Sequence, residues 1–151
     1  MVLEDGITGF FQQAVKSCVY MELKKSFQQF CYELANINHG KVFYIEDSLN
    51  SKNFYFAKLE LYFTKIFVLA NARYPYLAFA SLLEYEKIEF INKSLDWKLP
   101  LFLKYTILNV EELNIKYCDK EVENHLNNAE IKQVLYWKPT TVGEVIFNFW
   151  D

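Results

Sequence analysis

Arginine is almost missing from this chain: of its 16 basic residues only Arg73 is one. Guanidinium forks are the usual tools for gripping phosphate and reading guanine, so the deficit argues against direct nucleic-acid binding. Glycine is scarce too. The four glycines, at 6, 9, 40 and 143, are never grouped as a phosphate cradle. With only three prolines beside them, a turn-dense β-sandwich is disfavoured. Three cysteines are an odd number and do not make a secreted disulfide framework. Cys18 and Cys31 fall on one expected helix, where thirteen residues at about 1.5 Å each place them roughly 20 Å apart. No apolar run approaches the roughly 20 residues of a membrane span. The first residues carry Glu4 and Asp5 where a signal peptide needs lysine or arginine. These features lead us to expect a cytoplasmic protein with no membrane contact.

What is abundant is the aromatic ring. The chain holds 14 Phe, 11 Tyr and 3 Trp, which is 19 % of it. A chain of 151 residues fits one domain, expected here over residues 1–151. Its core cannot hold every ring, so some must lie at the surface, where Tyr and Trp serve as binding anchors. The net charge of −3 is uneven: residues 111–151 hold four lysines against eight acidic residues, and the rest is nearly neutral.

Helical periodicity is clearest at the start. Ile7, Phe10, Phe11, Ala14, Val15 and Cys18 recur at three- and four-residue steps, continued by Leu23, Phe27, Phe30, Cys31 and Leu34. The helix is expected to end in "NINHG", residues 36–40, which tolerates a left-handed cap. Residues 41–47 are ambiguous, though their β-branched and aromatic residues would suit a short strand. From Phe54 to Ala72 alternation competes with a helical face, and the absence of Gly and Pro favours helix. Residues 77–95 and 100–109 also read as helical, and residues 119–137 as one or two helices with a break near Asn127–Asn128. The fold class expected is all-α, a compact helical bundle, with α+β and a short sheet from residues 41–63 as the alternative.

Catalytic patterns are absent. No nucleophile elbow or Cys-x-x-Cys pair occurs. The carboxylate pairs Glu84–Glu86 and Glu111–Glu112 are ordinary in a helical protein. On a helix, His125 would share a face with Glu121, and Cys118 would lie a turn away. That is too loose for a zinc site. Neither an enzyme nor a metal or other cofactor is expected, with His39 read as a capping or exposed residue.

The chain stops on "LYWKPTTVGEVIFNFWD". Thr140 or Thr141 can cap a final helix, and Glu144 follows Thr141 by three, the spacing of a capping box. On that helix Val142, Val145, Ile146, Phe147, Phe149 and Trp150 would form one broad apolar face. Glu144, Asn148 and Asp151 would form the polar remainder. This ending resembles those of the small immunity proteins of bacterial contact-dependent growth inhibition and related polymorphic toxin systems. There a Trp-x-Pro segment precedes Gly-Glu/Asp-x-Ile/Leu-Phe-Asn-x-Trp-Asp. Trp137, Pro139, Gly143, Glu144, Ile146, Phe147, Asn148, Trp150 and Asp151 match, within residues 135–151. The resemblance implies a non-enzymatic inhibitor that binds a cognate toxin domain, commonly a nuclease, in the cytoplasm of the producing cell. It also implies that the motif packs the last helix. A basic toxin would be steered by acidic residues, here Glu121, Glu123, Glu130, Glu144 and Asp151. The runner-up reading is a helical adaptor for a cellular protein or a small apolar ligand.

Overall fold

The structure, a computed structural model, describes residues 1–11, 17–101 and 103–150, and for residues 17–21 the backbone alone. In chain order its elements are β1 (Val2–Leu3), α1 (Ser17–Ile37), β2 (Lys41–Glu46), β3 (Phe54–Leu61), β4 (Thr64–Asn71) and β5 (Tyr76–Glu84). There follow β6 (Lys87–Ile91), β7 (Thr106–Ile107), α2 (Val110–Leu113), β8 (Glu123–Asn124), α3 (Asn128–Trp137) and α4 (Val142–Ile146). Strands β2 to β6 form an antiparallel meander in the order β2-β3-β4-β5-β6, and β7 pairs in parallel with the start of β5. Strands β1 and β8 make a separate parallel pair.

The all-α bundle is therefore wrong, and with it the helical scaffold of the adaptor reading. The segment from Phe54 to Ala72 shows why. It is a β-hairpin whose two strands are joined through Tyr62 and Phe63, with Leu61 opposite Thr64. Both turn residues are left-handed, at φ 48° and 66°. A two-residue turn of this hand normally takes Asn-Gly, since a Cβ there is strained. Tyr-Phe in its place gave no turn signal, so two alternating strands read as one helix. The segments 77–95 and 100–109 are also expected as helices; the first holds the β5–β6 hairpin, and the second holds β7 with no helix among its described residues.

Alternation sorts the sheet into two faces. Tyr55, Ala57 and Leu59 of β3, with Ile66 and Val68 of β4, point toward α1, which lays Phe27, Phe30, Cys31 and Leu34 across them. Trp97 and Tyr105 close the margin of this core. Burial pushes the Cys31 thiol pKa up, consistent with a small hydrophobe, while Cys118 is exposed. The helix ends where expected: Gly40 N–H donates to Ala35 O, and His39 is left-handed at φ 49°. Gly40 is required there, because a Cβ would stand 1.7 Å from the Glu60 carbonyl oxygen of β3.

The opposite face carries Phe54, Leu69, Ala78 and Ala80, and no long helix among the described residues covers it. The two chain ends do. Leu3 and Ile7 arrive from the N-terminus, and Val142, Val145, Ile146 and Phe147 from the C-terminus, with Leu108, Leu113 and Leu126 beside them. Ile7 is thus core, but in a turn: Gly6 and Gly9 have φ of 86° and 92°, and its helical spacing with Phe10 and Phe11 is coincidental. Ala14 and Val15, and the Cys18 side chain, lie outside the described residues.

The strained β3–β4 turn yields a prediction. Phe63 is 94 % exposed and supports no packing. Phe63→Gly should therefore stabilise the protein by about 1 kcal/mol through relief of the left-handed strain. Denaturant midpoints of the two proteins would measure it.

Candidate functional site

The chain ends are held on the sheet by polar groups that water does not reach. Glu130, the third residue of α3, is fully buried. Its carboxylate accepts from Gly6 N–H at 3.0 Å, Thr8 N–H at 2.9 Å and the Thr8 hydroxyl at 2.7 Å. It also accepts from Asn127 N–H at 2.9 Å, while the Asn127 side chain accepts from Glu130 N–H, which completes a capping box. No cation pairs with it among the described residues. Four donors solvate this carboxylate in place of water.

Three buried asparagines continue the arrangement. Asn53 Nδ2 and Asn71 Nδ2 each donate to both Ile7 O and Ile146 O, at 2.7 to 3.0 Å, so one carbonyl from each chain end is bound twice. Asn148 donates from its side chain to Thr8 O and Val145 O, and from its backbone to Asn53 Oδ1 at 2.8 Å. The Tyr74 hydroxyl donates to Asp5 O, and the Tyr76 hydroxyl to Glu4 Oε1 at 3.0 Å. Burial and that carboxylate push the Tyr76 pKa up to about 12. No buried side-chain polar atom among the described residues lacks a partner.

Above this floor lies a half-open cleft of about 430 Å³, between the C-terminal segment and the β5–β6 turn. Trp137, Pro139, Gly143, Glu144, Phe147, Asn148 and Trp150 all line it. The terminal motif thus encloses a space as well as packing a helix. The turn contributes Glu86, and β6 adds Lys87 and Phe90. Phe147 packs edge-on to Phe54 at 5.9 Å, and Phe149 bridges Phe54 and Tyr85 at 5.3 and 5.4 Å. Gly143 admits no side chain: a Cβ would meet Phe90 at 2.8 Å and the Leu113 carbonyl oxygen at 2.9 Å.

The final helix is shorter than expected. α4 stops at Ile146, its cap Phe147 is extended, and residues 148–150 carry no regular structure. Val142, Val145, Ile146 and Phe147 face inward, whereas Phe149 and Trp150 are half-buried on the cleft side. Thr141 is the N-cap, its hydroxyl accepting from Glu144 N–H at 3.3 Å. The returning Glu144 carboxylate reaches one residue further back, accepting from Thr140 N–H at 2.6 Å and from the Thr140 hydroxyl. Asn148, placed on the polar side of the expected helix, is buried at the centre of the asparagine cluster.

The acidic candidates separate. Glu121, Glu123 and Glu144 are exposed. Glu130 is not, and its burial removes it from any contact face. Asp151 lies outside the described residues. The segment carrying Cys118, Glu121 and His125 is turns and the short strand β8 rather than a helix, so their expected spacing on one face does not arise. His125 Nε2 meets Glu123 Oε1 at 2.7 Å, and no group of three His, Cys, Asp or Glu among the described residues could hold a metal ion. Glu86, Lys87 and Phe90 had no signal in the sequence, since a turn distant in the chain brings them to the motif.

Glu130→Ala should destabilise the protein by roughly 3–5 kcal/mol, because it strands the buried Gly6 and Thr8 donors of the N-terminal end. Glu130→Gln should also cost about 2 kcal/mol, since an amide turns a donor toward N–H groups that need acceptors. Guanidinium unfolding curves would show both, and a shift below 1 kcal/mol in Glu130→Ala would refute the role. No family model, curated protein or solved structure matches this chain.

Proposed function

We propose that the chain is a non-enzymatic immunity protein that binds and neutralises a cognate toxin domain, a nuclease, in the cytoplasm of the producing bacterium. The observation that carries this is the cleft. Residues resembling the immunity-protein ending gather around one concave, aromatic-lined space with Glu86 and Glu144 among its lining residues. Rings at a concave surface are the side chains that anchor protein partners.

The neighbouring surface supports a docking role. The outer side of α3 leaves Ile131, Leu135 and Tyr136 exposed, the last two at 70 % and 76 %. Tyr136 packs edge-on against Trp137 of the cleft wall at 5.2 Å, so apolar surface continues from the cleft onto α3. The last quarter of the chain carries a net charge of −4, with Glu121, Glu123 and Glu144 exposed. A nuclease that holds polyanions is basic, and an acidic face raises its rate of encounter. No helix among the described residues is long and apolar enough to cross a membrane.

The test is co-expression with the C-terminal domain of a large secreted toxin encoded beside this chain. The two should purify as a complex, and toxicity should fall. Reversal of Glu121 and Glu123 to lysine, both exposed, should slow association severalfold and flatten its salt dependence with the fold unchanged. An unaltered rate and salt dependence would remove this part of the surface from the contact.

A further inference from the structure

We propose that the cleft receives a guanidinium group, an arginine side chain supplied by the basic partner; this rests on the toxin-binding reading above and specifies what the cleft takes. Its size is the first ground. About 430 Å³ lies toward the small end of the roughly 300–1,000 Å³ typical of ligand pockets, room for a side chain rather than a folded element.

The lining is the second ground. Trp137, Phe90, Phe149 and Trp150, none of them fully buried, give it ring surface. Cations attract the faces of such rings, indole most of all. The molecule already satisfies other rings in this way. Phe43 has Lys41 and Lys65 over it at 5.0 and 5.6 Å. Phe56 has Lys52, Phe67 has Lys58, and Phe11 has the Arg73 guanidinium at 5.0 Å. Among the described residues no cation stands over any ring of the cleft.

Charge is the third. Glu86 lines the cleft from the exposed β5–β6 turn, and its carboxylate has neither an ion pair nor a hydrogen bond among the described residues. Glu144 is held in place by Thr140, mainly through Oε2, and keeps acceptor capacity on Oε1. Lys87, the one cation in the lining, lies 3.9 Å from Glu89. Two carboxylates and a set of uncovered rings match a flat, weakly hydrated cation. Arginine fits that description better than lysine, because it stacks on indole while forking to a carboxylate. An arginine held here is withdrawn from phosphate, which links binding to loss of nuclease action.

The experiment uses the intact protein, labelled with ¹⁵N, and N-acetyl-argininamide as probe. The indole N–H signals of Trp137 and Trp150 should shift saturably, and that of buried Trp97 should not. The citrulline analogue, equal in shape but uncharged, should bind about tenfold more weakly. Glu86→Gln, an exposed change that leaves the spectrum of the fold intact, should weaken the arginine probe about threefold or more. Equal binding of the citrulline analogue, or no shift at Trp137 and Trp150, overturns the proposal. Toxin co-purification would survive that result, whereas arginine binding without any toxin complex would sink the functional reading and keep the cleft.

Discussion

A meander of antiparallel strands has two faces to cover, and among the described residues there is one long helix. The second face is left to the chain ends, which are short and carry unpaired backbone groups into the interior. Buried amides and carbonyls are tolerated only with partners. Glu130, Asn53, Asn71 and Asn148 supply those partners, joining Gly6–Thr8 and Ile146–Asn148 to the sheet and to each other. Neither end has a place without the other. The cleft depends on this arrangement, because Asn148 and the residues flanking it form one of its walls.

Features set by local chemistry were legible in the sequence. The left-handed stop at residues 36–40 and the Thr141 cap follow from side chains acting on their own backbone, whereas the expected break at Asn127–Asn128 is the start of α3 with no helix directly before it. Features set by distant residues were not. Tyr62 and Phe63 make a turn that only the pairing of β3 with β4 justifies, and without it residues 54–72 satisfy a helical pattern equally well. Glu130 looks like any surface acid in a charged stretch. Its spacing from Asn127 gives away the capping box, but only the fold brings Gly6 and Thr8 to it. The terminal motif was readable as a unit and misread in form. Its inward residues pack as expected, while Phe149 and Trp150 leave the helix and turn to the cleft.

The division of the motif links fold to function. Val142, Gly143, Val145, Ile146 and Phe147 are closed to change, since they fill the space over Phe54 and under Phe90. Trp137, Pro139, Glu144 and Trp150 are reachable from solvent and line the cleft. A surface of this kind can evolve to fit a partner as long as the residues beneath keep the chain ends fixed. Under the proposed toxin-binding role, the polar cluster is the support beneath the cleft rings, and holding them in place would lower the entropy lost on binding.

The rigidity of that support is the central claim, and native-state hydrogen exchange tests it most directly. The backbone N–H groups of Gly6, Thr8 and Asn148, bound to Glu130 and Asn53, should exchange only with global unfolding, as slowly as Val68 in the paired centre of β4. Exchange of these three at the rate of frayed termini, with Val68 still protected, would show that the chain ends are not locked and would contradict the account.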